Sequence, residues 1–247
     1  MPKFFIPHEK ITDTQVIIDT EDVTHITRVL RLGRGDTVTC CDSRGTDYEV
    51  KISEVEQKKI VCDIISSKKS DAEPNIKVTL FQGLPKASKM EYIIQKTTEL
   101  GVCGIIPVKL SRCVVKIDNK KDEGKKLERW QKISESAAKQ SGRGIVPEVK
   151  PFMTLDEVIK AAEDFDLFFV PYECEEQKTL KEVLLSKNDV KTVGFVIGPE
   201  GGFDKAETEK LANAGIPTVT LGKRILRTET AGEAVLAMTM YEIGDIN

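Results

Sequence analysis

The feature that most constrains this chain is a glycine-rich turn set between a buried strand and a helix. Val193-Gly194-Phe195-Val196-Ile197 is a short apolar run rich in β-branched residues, the pattern of a strand covered on both faces. It leads into Gly198-Pro199-Glu200-Gly201-Gly202-Phe203. Gly201 and Gly202 are expected to reach φ > 0 and to let a ligand approach the main chain closely. Asp204 is the expected N-cap of a helix running to about Ala214. Gly215 and Pro217 end it, and Pro217 to Leu221 reads as the next strand. The unit is therefore β-turn-α-β, with its glycines at a strand's C-terminal end, where ligands of open α/β sheets bind. The same glycines would also serve a plain tight turn. A phosphate-binding P-loop is excluded, because Phe203-Asp204 stands where Lys-Ser/Thr is required. The dinucleotide pattern G-x-G-x-x-G is broken by Pro199 and Glu200.

The 247 residues suffice for one large or two modest domains. No apolar run reaches membrane-spanning length. Met1-Pro2-Lys3-Phe4-Phe5-Ile6-Pro7 is too short for a signal-peptide core, so a cytoplasmic protein is expected, with no membrane partner. Cys40, Cys41, Cys62, Cys103, Cys113 and Cys174 form no C-x-x-C pair, and His8 and His25 are the only histidines. No metal site is expected, and the thiols read as buried and free. The net charge of −3 is unevenly spread. Residues 86–150 hold 15 basic and 8 acidic residues, a net +7, whereas 151–247 hold 10 and 18, a net −8. Such asymmetry points to a polyanionic partner, although lysine-rich helix faces are also simply solvated.

Residues 1–70 read as all-β. Phe4-Phe5-Ile6, Val16-Ile17-Ile18, Thr37-Val38-Thr39-Cys40, Tyr48 to Ile52 and Lys59 to Ile65 are strand-like, and one helical piece, Glu21 to Leu30, interrupts them. Short strands at this spacing suggest a small barrel. Ser66 to Asn75 is polar and ends near a proline, so a linker is expected there, with the first domain taken to residue 70 and the linker proper as 71–75. From residue 76 to 247 strands and helices alternate. Strands are expected at Ile76–Gln82, Cys103–Val108, Leu167–Val170 and Val193–Ile197, and helices at Lys89–Leu100, Leu127–Gln140 and Leu155–Ala162. That order implies a parallel sheet covered on both faces.

Two motifs in order carry a family resemblance. Gly198-Pro199-Glu200-Gly201-Gly202 is followed by Leu221-Gly222-x-Arg224-Ile225-Leu226-Arg227-x-Glu229-Thr230-Ala231. This pair resembles the SPOUT methyltransferases, most closely the family that methylates N3 of a uridine in 16S ribosomal RNA. His25-Ile26-x-Arg28-Val29-Leu30-Arg31-Leu32-x-x-Gly35-Asp36 is similar to that family's PUA-like N-terminal domain. Gln95-Lys96-x-x-Glu99-Leu100-Gly101-Val102 and Ala137-Ala138-x-Gln140-Ser141-x-Arg143 extend the likeness over nearly the whole chain. Ser111-Arg112-Cys113 and Lys139 depart from the family pattern. The resemblance implies an α/β protein with a small PUA-like β-barrel and a C-terminal α/β domain tied in a trefoil knot. Periodicity could not show a knot, and general topology rules disfavour one. It further implies S-adenosyl-L-methionine as methyl donor, S-adenosyl-L-homocysteine as product, a homodimer, and 16S rRNA within the assembled small ribosomal subunit as substrate.

Three loops would then hold the donor: Val170-Pro171-Tyr172-Glu173, Gly198 to Gly202, and Leu221 to Arg227, with Ala231 behind them. Leu221, Ile225 and Leu226 are apolar enough to flank adenine, while Gly198, Gly201 and Gly222 leave main-chain groups accessible. Core packing is the alternative for the three apolar side chains. Uracil N3 carries a proton and lies on the Watson–Crick edge, so it must be unpaired and deprotonated. Arg227 is the candidate cation for the charge that builds on the pyrimidine, with Arg143 a second choice. Glu200 and Glu229 are the candidate bases, although Glu229 would equally suit the first turn of the last helix. Arg28, Arg31 and Arg34 are candidate phosphate contacts. Lys86, Lys89, Lys96, Gln140 and Arg143 complete the expected RNA-binding set. A non-catalytic RNA-binding or ribosome-assembly protein would keep the barrel and basic helices without the glycine turn. A nucleotide-dependent oxidoreductase would need the missing dinucleotide pattern.

Overall fold

A computed structural model of the chain describes residues 3–115 and 119–246. Met1 and Pro2, which open the N-terminal run, lie outside the described residues. The chain divides into two compact units, Met1–Glu73 with Ala138–Val146, and Pro74–Ala137 with Pro147–Asn247.

The first unit contains β1 (Lys3–Phe5), β2 (Gln15–Ile18), α1 (Asp22–Thr24), β3 (Thr37–Cys41), β4 (Thr46–Val55) and β5 (Ile60–Lys69). The strands form one sheet in the order β1-β3-β4-β5-β2, in which only the β1–β3 pair is parallel. In β4, buried Val50 and Ile52 flank exposed Lys51, the two-residue alternation of a half-buried strand. These side chains join Phe4, Val16, Ile18, Val38 and Ile60 in a single core. α1 opens into a wide π turn at His25–Val29, closed by Leu30 N–H to the His25 carbonyl. Arg31 follows at φ 57°, a left-handed conformation rare for a non-glycine residue.

Two expectations are corrected here. Residues 66–69 are not linker but the end of β5, because they pair with Thr46 to Glu49 of β4. Ala138–Val146 belongs with the first unit although it stands far away in sequence. The Glu73 carboxylate accepts hydrogen bonds from the backbone N–H groups of Gly144 and Ile145, at 2.8 and 2.9 Å, and from the Arg143 guanidinium at 2.7 Å.

The second unit contains β6 (Lys77–Gly83), α2 (Lys89–Glu99), β7 (Gly104–Lys109), α3 (Lys120–Ser141), β8 (Glu148–Val149), β9 (Met153–Thr154), α4 (Leu155–Ala161), β10 (Leu167–Pro171), α5 (Leu180–Leu184), β11 (Thr192–Ile197), α6 (Lys205–Asn213), β12 (Thr218–Val219) and α7 (Thr228–Ile243). From Ala138 on, α3 counts with the first unit. The sheet runs β12-β10-β11-β6-β7-β8, with β9 also on β7, and every pair is parallel. Every residue of β10 and all but the first of β11 is buried, as a sheet covered on both faces requires. α7 packs against α2 and buries Val235, Leu236 and Met240 completely. Each such side chain contributes about 1.5–3 kcal/mol relative to exposure.

Several boundaries move. α3 starts at Lys120 rather than Leu127, since its first turns are charged and carry no apolar period. α7 starts at Thr228, which puts Glu229 in its first turn, and the strand expected over Pro217–Leu221 shrinks to Thr218–Val219. α5 was not expected. It is short but has a capping box, with Glu182 accepting from the Thr179 N–H. Cys40, Cys41, Cys62 and Cys113 are buried as expected, but Cys174 is exposed. Burial pushes the Cys62 thiol up to about 11 and the Cys41 thiol to about 12, so neither is a nucleophile at neutral pH.

Candidate active site

All the strands of the second unit point the same way, so their C-terminal ends share one edge. Chain order brings β6 next to β11, and the direction of sheet growth reverses at that pair. A cleft of about 950 Å³ opens at this edge, lined by the segments that follow β10, β11 and β12 and by the start of α7. Ligands of open α/β sheets sit at such reversal points.

Pro171, at the end of β10, and Tyr172 and Glu173 beyond it line the cleft. Val170 does not, in contrast to the expectation. It is fully buried in β10, with its N–H donated to the Pro217 carbonyl. The Tyr172 ring meets Phe203 edge-on at 6.5 Å. Glu175 also lines the cleft. Its carboxylate accepts from the Thr218 hydroxyl at 2.6 Å and from the Gln177 and Lys178 N–H groups. Those donors, the Thr218 hydroxyl first, hold it down at about 2.

The glycine loop after β11 places Gly198, Pro199, Glu200 and Gly202 on the cleft. Its turn closes through Gly202 N–H to the Pro199 carbonyl, 2.9 Å. The expectation for Gly201 is corrected. Gly202, at φ 67°, is the loop residue with positive φ, and a Cβ there would lie 2.5 Å from Glu173 Oε1. Gly201 does not line the cleft and faces Arg112 instead. The Arg112 guanidinium donates to the Gly201 carbonyl at 3.0 Å. Arg112 follows β7, within the run that departs from the family pattern, and its bracing of the loop was not anticipated. Gly83, at the end of β6, was also missed; a Cβ there would lie 2.8 Å from Pro199.

The third segment contributes Leu221, Gly222, Lys223, Arg224, Ile225, Leu226 and Arg227, and Ala231 lies behind it on α7. Gly222 has φ 95°. Ile225 is 86% exposed, so core packing does not account for it. Arg227 occupies the N-cap position of α7 without a side-chain cap, and it is exposed and lines the cleft. Thr228 ties the third segment to the second. Its hydroxyl donates to the Gly198 carbonyl at 2.6 Å and accepts from the buried Gln82 amide at 2.9 Å.

Lys89, expected on an RNA-binding face, instead lines the cleft from the first turn of α2. Its Nζ lies 3.1 Å from Glu200 and 3.1 Å from Glu229. The Glu229 oxygen is within ion-pair distance but out of line for a hydrogen bond. Glu200 also accepts from the Lys86 backbone N–H at 3.1 Å. Burial pushes both carboxyls up, but main-chain N–H groups and Lys89 overcome it, and both end below their ordinary value. Glu229 sits in the first turn of α7, where the helix dipole favours a negative charge.

The remaining expected residues divide by exposure. Arg28, Arg31, Arg34, Lys86 and Gln140 are exposed, and Lys96 is paired with Glu99 at 2.9 Å. Arg143 is corrected in both its roles. It is 2% exposed and ion-paired with Glu73 inside the first unit, where a guanidinium supports structure rather than contacting a phosphate or a reacting base. Among the described residues, no group of three or more His, Cys, Asp or Glu is placed to hold a metal ion, and no helix is long and apolar enough to cross a membrane.

Residues 72–240 match the RNA methyltransferase domain family, and residues 18–65 match the RNA methyltransferase PUA domain family. Fold and cleft thus define a methyltransferase enzyme of the RNA-modifying class. The chain is 38% identical to the ribosomal RNA small subunit methyltransferase E of Bacillus subtilis, over 91% of this chain and 89% of that one. It is 33% identical to the Aquifex aeolicus protein of the same name, over 79% and 82%. The structure of the Neisseria gonorrhoeae ribosomal RNA small subunit methyltransferase E bound to S-adenosyl methionine superimposes with a TM-score of 0.86, at 31% identity and full coverage of both chains. The chain belongs to the ribosomal RNA small subunit methyltransferase E family.

Proposed function

We propose that this enzyme transfers the methyl group of S-adenosyl-L-methionine to N3 of one uridine in 16S rRNA, releasing S-adenosyl-L-homocysteine. The observation that carries the reading is the three-segment cleft at the reversal point of the sheet, in a family whose gonococcal relative was solved with that donor. The lining suits the ligand. Glu173, Glu175, Glu176 and Glu200 bring negative charge to the cleft, of the sign that suits a sulfonium, and Glu229 stands behind it on Lys89. Leu221, Ile225 and Leu226 offer apolar surface for adenine, and Ile225 is left uncovered for it.

In the reaction N3 attacks the methyl carbon, the carbon–sulfur bond breaks, and sulfur leaves with the electron pair as a neutral thioether. The N3 proton passes to a base, for which Glu200 and Glu229 are the candidates. Their lowered carboxyl values make both weak proton acceptors. Stabilisation of the pyrimidine's charge by Arg227 therefore carries more of the step. The exposed Arg28, Arg31 and Arg34 are assigned to rRNA phosphates, supported by the wide turn and the positive φ of Arg31 between them. Residues 1–70 are assigned to RNA and 76–247 to donor and chemistry, with the knotted threading that the family implies. Met238 and Tyr241 on α7 are 40% and 69% exposed, and a second copy covering them would make the enzyme a homodimer, visible by sedimentation as twice the chain mass. We assign the work to the cytoplasm and its substrate to the assembled small subunit.

Calorimetry with S-adenosyl-L-methionine and, as control, NAD tests the donor. Methylation of small subunits lacking the modification, read by mass spectrometry of digested RNA, tests the acceptor. Arg227→Ala should slow transfer by about 10²–10³-fold while donor affinity stays within a few-fold. A product methylated on carbon or ribose overturns the N3 assignment.

A further inference from the structure

Three elements that surround the cleft converge on one ammonium group. Lys89 comes from α2, Glu200 from the glycine loop, and Glu229 from the first turn of α7, and both carboxylates lie 3.1 Å from Nζ. Nothing in the local sequence joins them, since Lys89 stands more than a hundred residues before either partner. We infer that Lys89 is a positioning residue of the methyl-transfer site, joining the Glu200 and Glu229 carboxylates and so fixing the glycine loop and the start of α7 in register with α2. The inference rests on the reading of the cleft as the donor and acceptor site.

The geometry explains why a cation must stand there. Two carboxylates around a single nitrogen lie close to each other, and their side chains are only 25% and 17% exposed. Without Lys89 they would repel across a partly dry space, and one would take up a proton or swing into solvent. Either response moves a wall of the cleft. Glu200 stands between Pro199 and Gly201 in the glycine loop, and Glu229 is two residues from Arg227. The other groups facing the pair do not replace Lys89. Lys86 contributes a main-chain N–H to Glu200 alone. Arg227 lowers the Glu229 carboxyl as the weakest of its causes. Glu233, one turn along α7, is a further acid whose burial raises its carboxyl, and it adds repulsion. Lys89 is itself held above its ordinary value, chiefly by its contact with Glu229 and then Glu200, so it stays charged throughout the range in which the enzyme works.

A purely structural ion pair would also shift the two carboxyls when its cation is removed, and it would lower stability, but it would leave the pH dependence of transfer alone. The positioning role predicts that the acid limb of the transfer rate moves with the carboxyls. The full chain, labelled with carbon-13 in its glutamate carboxyls, is titrated as wild type, Lys89→Met, Lys89→Gln and Lys89→Arg, with Glu200→Gln and Glu229→Gln assigning the two signals. Loss of the cation should raise at least one of them by about one pH unit. The acid limb of the transfer rate at saturating donor should move up with it, and Lys89→Arg should return both toward wild type. Two neutral replacements guard against a folding defect in one. An acid limb unchanged in both, whatever the carboxyl signals or the overall rate do, overturns the proposal. Wild-type protein that binds no S-adenosyl-L-methionine overturns the donor reading and Lys89's place in that reaction, while the carboxyl titration still reports on the three-way contact by itself.

Discussion

At the scale of single residues, small changes of position decide which side chains matter. Gly201 and Gly202 are indistinguishable in sequence, yet only Gly202 has positive φ and faces Glu173. Gly202→Val should therefore cost about 1–3 kcal/mol of local strain, weakening donor binding roughly 10- to 100-fold by calorimetry. Donor affinity equal to wild type would mean the loop does not hold the donor. Thr228 is the second such residue. Thr228→Val keeps the shape but leaves the buried Gln82 amide and the Gly198 carbonyl without their shared partner. The expected loss is about 1–3 kcal/mol of stability, read by chemical denaturation, with a weakened grip on the glycine loop. Arg143 shows the opposite correction: a positive charge in a basic stretch proves to be a buried structural group.

At the scale of elements, most strands and helices were legible because each carries its own signal. Asp204 caps α6 as its sequence suggests, accepting from the Ala206 N–H at 3.0 Å, while Glu207 closes the box through the Asp204 N–H at 2.8 Å. The same Glu207 also reaches the Ser111 N–H at 2.7 Å, a tie between the start of α6 and the segment after β7 that no local pattern encodes. Glu175 does similar work after β10, binding Thr218 of β12. Its carboxyl is depressed to about 2 from an ordinary 4.5. Its contribution to stability is therefore present above about pH 4.5 and fades as pH falls toward 2. Because the group is largely solvated, that contribution should stay below about 1 kcal/mol. Glu175→Gln should flatten the acid side of the curve of unfolding temperature against pH. An acid side identical to wild type would show that the contact adds nothing to stability.

At the scale of the whole molecule, the net charge of −3 hides a division of labour. The cleft sets Glu173, Glu175, Glu176 and Glu200 against Lys89, Lys223, Arg224 and Arg227, whereas Arg28, Arg31 and Arg34 stand exposed on the N-terminal unit. Replacing the three arginines by glutamine should leave donor affinity unchanged and weaken RNA binding. The slope of log affinity against log salt should shrink by roughly 0.7–0.9 for each phosphate that is no longer neutralised. An unchanged slope would remove these residues from the RNA interface.

The sequence by itself determined the class of fold and the three segments that line the cleft. Buried strands, glycine turns and caps act over a few residues, so Val193 to Gly202 announces a strand and a ligand-facing turn without help from the rest of the chain. Only the tertiary structure decided which residues of those segments face the cleft, and with what charge. Lys89 and Glu229 stand 140 positions apart in the chain but 3.1 Å apart in space. Arg112 reaches Gly201 across 89 positions, and Ala138–Val146 returns to a unit built mainly from the first residues. Such contacts depend on sheet order, and parallel sheet order depends on crossovers whose lengths set no register of their own. Chemistry read from a motif names the residues available; the sheet that gathers them assigns each its partner.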